Sequence, residues 1–500
     1  MKLEKIHWID KLSKKIKIVI SSIFFSAIII SSIAIVVFTQ YGKTISVEQT
    51  YSWNDGPWLT WDDVPTSSIV INWLSKDKVK GKLTYSVDPN LINQIHVVEE
   101  TSRSHLHHIK LQNLEPNQRY YYKINLEFQN YQQLHVFSFL TAPIDLSVGF
   151  KFCIVGDMQP ADSRTQEAGK MVALGIANES PNFVLQLGDI CSSGGSGTLW
   201  HNVLQNIPLF ASESAFQSVV GNHDYEGENA ENYHNLFKYN YETSNANYYS
   251  FNYGNVHFTM IDNFDGEGYS MTQIQKQWVV QDIINAKSIG QKWIFICFHH
   301  TILTTATSSQ NWELQKWLVP IADKYDVDGI FFGHDHHYEH WSYIYGNSGL
   351  LYNETDLPSG NETHYWCSGG GGAHLEVDYG VLDHQPFIDI RQFYNISASE
   401  YQDITIERRH WNASRFVDNP QNEIYAEDEN HHLYYHAPDL ESYSDDNEIY
   451  GYSYGEQALH YILVEISNNG NTCTISARYP NGAILMGPNN NYPQLWIFNK

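Results

Sequence analysis

Five short clusters along the chain carry side chains that bind metal ions. They are Gly156-Asp157-Met158-Gln159, Gly188-Asp189, Gly221-Asn222-His223-Asp224, His299-His300 and Gly333-His334-Asp335-His336-His337-Tyr338-Glu339. From Asp157 through Asp189, Asn222 and His299 to His334 the steps are 32, 33, 77 and 35 residues. One such cluster reads as an ordinary polar turn; five in succession do not. Asp157, Asp189, Asn222, His299, His334 and His336 supply two carboxylates, one amide and three imidazoles without a thiolate. That donor set suits Fe, Mn or Zn. It exceeds what one tetrahedral ion needs, so two divalent ions sharing a bridge are expected. Ions paired at about 3.5–4 Å activate water and clamp both oxygens of an in-line phosphoryl displacement.

The clusters need elements to hold them, and each follows an apolar run: Phe152–Val155, Phe183–Leu187, Phe216–Val220, Trp293–Phe298 and Gly329–Phe332. Short apolar runs ending in turn residues read as buried strands. Their loaded C-terminal ends predict one site at one edge of a sheet, as in open α/β sheets. Glycine ahead of the acidic or His residue lets the chain turn sharply there. Leu459–Ile466 and Thr472–Arg478 read as closing strands. Trp366-Cys-Ser-Gly-Gly-Gly-Gly-Ala-His374 reads as a tight turn between strands, with an approach to the site as the alternative. Residues 376–450 are polar and acidic, lack EF-hand spacing, and read as a solvated insertion.

Residues 48–144 read as about seven short alternating strands, the pattern of a β-sandwich. Leu114-Glu-Pro-Asn-Gln-Arg-Tyr120-Tyr-Tyr122 has the form of a tyrosine corner, its hydroxyl bonding back to the preceding turn. Trp73 is the expected core tryptophan of the opposing sheet. His107 and His108 fall on opposite faces of one strand, so with His105 they do not make a metal cluster.

Across the 500 residues a net charge of −26 opposes binding to nucleic acid, whose phosphates would be repelled. The acid lies beyond the start, because residues 1–17 carry six Lys against Glu4 and Asp10. Residues 18–39 follow without a charge, long enough at 22 residues to span a hydrocarbon core of about 30 Å. A cleaved signal peptide would have a shorter apolar region. An uncleaved anchor is therefore expected, with the Lys-rich flank cytoplasmic and the remainder outside. Sequons at Asn178, Asn353, Asn361, Asn395 and Asn412 are possible glycosylation sites. Cys153 and Cys297, inside apolar runs, are expected as buried free thiols.

The succession GDxx, GDxx, GNHD, FHH and GHxHxYE resembles the calcineurin-like metallophosphoesterases, and most closely their purple acid phosphatase branch. Plant-type members also carry a fibronectin type III-like domain like the one read at 48–144. The resemblance implies an α+β protein. Its parts are an N-terminal β-sandwich and a four-layer α/β/β/α metallophosphoesterase domain at 148–500, preceded here by one transmembrane helix. By that likeness Asp157 binds the first metal and Asp189 bridges both. Asn222, His299 and His334 complete the second site, and His336 returns to the first. His223 contacts the phosphate and either protonates the leaving group or neutralises the transition-state charge, with Asp224 either orienting it or stabilising its turn. His300 belongs with the catalytic candidates through its FHH pattern.

The chain departs from the branch in two places. The branch's Tyr ligand, three residues after the bridging Asp, is Ser192 here, and its substrate-binding His pair is replaced by Ser308, Ser309 and Gln310. Gln159 occupies a position where relatives outside the purple branch use a His ligand, and its amide oxygen either ligates the first metal or contacts the ligands from outside. The implied activity is acid phosphatase-like hydrolysis of phosphomonoesters, on small molecules or proteins. A phosphodiesterase of the same superfamily and a catalytically inactive adhesion protein are the alternatives.

Overall fold

The computed structural model describes residues 55–125, 135–227, 230–243, 246–266, 270–304, 311–343, 363–375, 433–434, 451–456, 458–485 and 493–500. Residues 1–17, the apolar segment 18–39 and nearly all of 376–450 lie outside these. Among the described residues no helix is long and apolar enough to cross a membrane.

Seven strands form the N-terminal part: β1 (Asp55–Thr60), β2 (Ile69–Val79), β3 (Lys82–Ser86), β4 (His96–Glu99), β5 (Ser104–Leu111), β6 (Arg119–Ile124) and β7 (Phe137–Leu140). They make two sheets, ordered β1-β2-β5 and β4-β3-β6-β7. The corner at Tyr120 is present, its hydroxyl accepting the Glu115 N–H at 2.9 Å. Trp73 is buried on β2 and stacks on His107 at 4.7 Å. His107 is thus a core residue, held by Ser75 and Glu100.

The second part begins with β8 (Phe150–Val155), β9 (Phe183–Gln186) and β10 (Ala215–Ser218), then β11 (Tyr249–Tyr253), β12 (Val256–Met260), β13 (Trp293–Cys297) and β14 (Gly329–Phe332). It continues with β15 (Tyr338–Tyr343), β16 (Thr363–Ser368), β17 (Leu433–Tyr434), β18 (Gly451–Glu456), β19 (Tyr461–Ser467), β20 (Thr472–Arg478) and β21 (Leu495–Asn499). Six strands form one sheet, β10-β9-β8-β19-β20-β21, and eight form another, β11-β12-β13-β14-β16-β15-β18-β17. Both closing strands read from the sequence lie in the first of these, with β19 antiparallel beside β8.

The sheets meet through aromatic side chains. Phe152 stacks on Phe183 at 4.7 Å and meets Phe258 of the other sheet edge-on at 5.2 Å. Side chains alternate along β13, so Phe295 faces this seam while Ile294 and Ile296 join an outer cluster. Helices Gln273–Ser288 and Trp312–Lys324 supply Val279, Ile283, Leu314 and Leu318 to that cluster. Helix Ser163–Glu179 packs on the six-stranded sheet, where Gly175 abuts Tyr461 of β19. The result is four layers, α/β/β/α.

One expectation changes here. The cluster-bearing strands do not share one sheet: β8, β9 and β10 lie in the six-stranded sheet, β13 and β14 in the eight-stranded one. Each group is internally parallel, so both sheets deliver their C-terminal ends to one place.

The two parts share packing. The Tyr122 hydroxyl donates to Ser212 O at 2.7 Å and Trp58 Nε1 to Leu236 O at 3.1 Å. Gln217 on β10 brackets Trp61, accepting its N–H and donating to its carbonyl. The Trp61 ring reaches 5.5 Å from Phe183 in the core of the second part.

Candidate metal centre

Three ligand candidates hold left-handed backbone conformations: φ is 58° at Asp157, 53° at Asp189 and 73° at His334. Residues with a Cβ pay steric strain there, and such strain concentrates at functional sites. It is the ligand, not the glycine before it, that makes the reversal at Asp157 and His334. The glycines provide room instead. A Cβ on Gly188 would lie 2.6 Å from His299 Nδ1, and one on Gly369 would lie 2.9 Å from Asp157 Oδ2.

At one side of the site, His299 Nδ1 bonds the Leu187 carbonyl at 2.8 Å, so that nitrogen carries a proton and Nε2 faces inward. Around Nε2 stand Asn222 Oδ1 at 3.0 Å, Asp189 Oδ2 at 3.2 Å and His334 Nδ1 at 3.3 Å. His334 Nδ1 is itself 3.1 Å from Asn222 Oδ1. Asp189, His299 and His334 each offer a ligand atom within 4.8 Å of the others. Lone pairs converging this closely repel unless a proton or a cation lies between them.

At the other side, His336 Nδ1 bonds the His374 carbonyl at 2.6 Å, turning Nε2 to Asp157 Oδ1 at 3.5 Å. The Gln159 amide nitrogen lies 3.4 Å from Asp189 Oδ2 and 3.4 Å from His336 Nε2. Its oxygen is buried without a hydrogen-bond partner. An unpaired buried acceptor costs about 1–3 kcal/mol; the amide nitrogen stands against Asp189 and His336, so the oxygen meets an ion there with the amide turned over. The residues present therefore fit two ions with Asp189 between them.

Electrostatics agree. Burial raises Asp157, and the neighbouring charge of Asp189 adds to that. Burial also pushes Asp189 up, yet the imidazoles of His299, His223 and His334 outweigh it and hold the carboxyl at about 2. Burial pushes His299 down, but Asp189 and Asp157 lift it to about 9. In the metal-free chain a proton on His299 thus substitutes for a cation.

The remaining candidates take varied positions. The His223 N–H donates to Asp189 Oδ1 at 2.8 Å, and its imidazole sits at the rim, 39% exposed, with Nε2 4.0 Å from Asp189 Oδ2. Asp224 does not orient it. That carboxylate is fully buried and accepts N–H groups from Ile190, Cys191 and Gly221 at 2.9–3.0 Å, so it clips the turn to the loop after Asp189. Burial and the charge of Asp189 raise Asp224 to about 7. His300 stacks on the His334 ring at 4.1 Å as part of the wall, and burial pushes it down to about 4. His337, in the bend before β15, is buried with Glu339 at 3.2 Å. The Ser192 hydroxyl donates to Pro160 O. Tyr225 is bound by Asp262 and Asn247, and Tyr338 reaches Gln494. Asn178 is exposed near the end of its helix, while Asn353, Asn361, Asn395 and Asn412 lie outside the described residues, as do Ser308, Ser309 and Gln310.

Other contributors lie outside the five clusters. Asn263 is fully buried, and its Oδ1 accepts the N–H of both His299 and His300 at 3.2 Å. It ends the apolar run Phe258–Ile261, the same pattern that flags the other clusters, so periodicity was the signal available. The glycine turn after Ser368 also reaches the site. Gly371 N–H donates to Gly156 O and Ala373 N–H to Asp157 O, both at 3.0 Å. It is a brace for the first cluster rather than a simple link between strands.

The calcineurin-like phosphoesterase family model matches residues 150–338, which contain all five clusters. Residues 150–338 are similar to that family. Residues 55–141 match the purple acid phosphatase N-terminal domain. Purple acid phosphatase 23 of Arabidopsis thaliana is 24% identical over 378 residues, covering 66% of this chain and 78% of that one. Purple acid phosphatase 15 of the same plant is 21% identical over 338 residues, 56% of this chain and 62% of that one. An uncharacterized protein of Mycobacterium tuberculosis is 25% identical over 234 residues. The match covers 42% of this chain and 44% of that protein, less than half its length. Among solved structures, a purple acid phosphatase from yellow lupin (Lupinus luteus) seeds aligns over 90% of this chain and 74% of its own. The TM-score is 0.59 at 14% identity, a likeness of fold.

Proposed function

We propose that the chain hydrolyses phosphomonoesters with two divalent metal ions, in the manner of an acid phosphatase, on the outer side of a membrane crossed by residues 18–39. One observation carries the catalytic part: ligand lone pairs converge on two sides of the fully buried Asp189, with His223 standing apart at the rim. Asp157, Asp189, His336 and Gln159 would hold the first ion; Asp189, Asn222, His299 and His334 the second. Bound there, the ions supply Lewis acidity to the phosphoryl group and acidify water. The protein's own residues do the rest. Asp189 fixes the backbone of His223, which leaves the imidazole at the rim to donate a proton to the departing alkoxide. Phe264, 5.9 Å from the His299 ring and 6.4 Å from the His300 ring, shields one flank from water. The substrate is a phosphorylated small molecule or protein.

Ser192 sets the character of the first ion. Without a phenolate, a site of Asp157, Asp189, His336 and the neutral Gln159 favours a divalent over a ferric ion. The loaded protein should be colourless and indifferent to mild reductants.

Metal analysis of the purified full chain, with p-nitrophenyl phosphate compared against bis-p-nitrophenyl phosphate, tests the reading. About two metals per chain and preference for the monoester are expected. Preference for the diester would make it a phosphodiesterase. Less than about one metal per folded chain would point to a surface protein without catalysis. One relative, from Arabidopsis thaliana, is named a probable inactive purple acid phosphatase. For the membrane, protease added outside intact cells should digest residues beyond about 45 and spare the Lys-rich start. A freely secreted form beginning near residue 40 would contradict the anchor.

A further inference from the structure

His223 is fixed at its backbone but needs a partner for its ring, and Asp224, the neighbouring carboxylate, faces the other way. The turn that carries His223 is gripped from outside. Gly194 N–H donates to His223 O at 2.8 Å, and a Cβ on Gly195 would meet Gly227 Cα at 3.2 Å and Glu226 O at 3.4 Å. This grip delivers the next acidic residue, Glu226, to the imidazole. Its Oε1 lies 3.2 Å from His223 Nδ1, on the ring edge opposite the Nε2 that faces Asp189. The approach is that of an ion pair, without aligned hydrogen-bond geometry. Glu226 is half exposed, so as a mere surface pair the contact would add little to stability.

We propose that Glu226 is the positioning residue for His223: its carboxylate accepts a hydrogen bond from Nδ1–H, so that the second proton of the imidazolium stands on Nε2, facing the leaving group. The inference deepens the phosphomonoesterase reading and rests on it. A histidine ring has two interchangeable edges, and a fixed acceptor at one of them selects the tautomer presented at the other. In the reaction the imidazolium passes its Nε2 proton to the alkoxide oxygen as the P–O bond breaks, and is left as the neutral Nδ1–H tautomer that Glu226 holds in place.

The test compares Glu226→Ala, Glu226→Gln, His223→Ala and Glu226→Ala/His223→Ala in the full chain. Two substrates are used: glycerol 2-phosphate, whose alkoxide needs a proton to leave, and p-nitrophenyl phosphate, whose phenolate does not. Glu226→Ala should lower kcat on the glycerol ester by about 10–100-fold, with KM and metal content near the parent values and a much smaller loss on the nitrophenyl ester. Glu226→Gln, which still offers an acceptor oxygen, should recover much of the loss. The double variant should be little worse than His223→Ala alone, because residues acting as a unit are non-additive. Equal losses on both substrates, full additivity, or loss of metal in Glu226→Ala would each overturn the proposal. Nitrogen NMR of labelled histidine supplies a readout independent of turnover. Glu226→Ala should change the His223 tautomer balance, and an unchanged signal would count against the pairing. If the metal-loaded parent hydrolyses neither ester, the phosphatase reading fails, and the NMR result still decides the pairing.

Discussion

Asp189 is the residue on which the centre turns, because it alone faces both ligand groups. Asp189→Asn removes the charge shared by two cations, so it should abolish turnover and weaken both sites together. His223→Ala should instead keep the metals and lower kcat by about 10²–10⁴, the usual worth of a placed proton donor. Metal content and kcat measured on the same preparations check both; loss of metal in His223→Ala would mean that His223 is a ligand. The ligand types were legible because Asp, Asn and His stand directly after apolar runs. Glu226 was not, since an acidic residue three places after His223 has no pattern of its own; Asn263 was legible only in part, because it follows an apolar run but acts on His299 and His300, which the fold brings beside it. A pH effect follows from His299, raised to about 9 from 6.5 in the metal-free chain. A raised histidine stabilises the fold fully below its unfolded value, and that stability is lost as pH climbs from 6.5 through about 9. Asp189, lowered to about 2, contributes above 3.8 and loses its contribution as pH falls through about 2. A metal must displace the His299 proton, so uptake near neutral pH should release about one proton per centre and tighten as pH rises toward 9. Calorimetry in buffers of different protonation enthalpy measures this; proton-independent uptake between pH 6 and 8 would contradict it.

The loops, as elements, hold the site by exchanging hydrogen bonds rather than by their own propensity. The loop after β9 and the turn after β10 interlock, since Asp224 takes N–H groups from one and Asp189 takes an N–H from the other. Asp224→Ala would orphan the buried N–H groups of Ile190, Cys191 and Gly221, each costing about 1–3 kcal/mol if no water reaches it. Asp224→Asn keeps an acceptor but places an amide N–H2 where a second acceptor stood. We expect Asp224→Ala to lower stability by about 3 kcal/mol or more and to weaken metal binding, with Asp224→Asn between it and the parent. Denaturant unfolding with and without metal measures this. A stable Asp224→Ala with a selective loss of kcat would instead restore the role of orienting His223. All five cluster-bearing strands could be read from apolar run length. Their division between two sheets could not, because a run buried on both faces looks the same in either sheet. The glycine turn at 369–372 was underrated for a related reason: contact with Asp157 depends on β16 lying beside β14.

At the scale of the whole molecule, the apparent boundary near residue 145 is a boundary of pattern and not of packing. Alternation gives way there to apolar runs, which looks like two domains joined by a linker. Yet Trp58, Trp61 and Tyr122 all bond across it, and Trp61 lies 3% exposed beside Phe183, whose ring stacks on Phe152 in the central seam. Contacts between distant segments of this kind leave no periodic trace, so the sequence shows the two halves and not their dependence. The N-terminal sandwich thereby supports the β9–β10 edge from which Asp189 and Asn222 emerge. Trp61→Ala would open a large cavity at that seam, at a cost of about 3–5 kcal/mol. It would also loosen Gln217, which brackets the tryptophan from β10. The two parts should therefore unfold together in one transition, and Trp61→Ala should lower its midpoint for both. It should reduce metal affinity as well, although residue 61 touches no ligand. Calorimetric scanning of the parent and Trp61→Ala, with metal titration of each, decides the matter. Two independent transitions in the parent, with only the N-terminal one moved by the substitution, would show that the sandwich is an attached module and not a buttress of the centre.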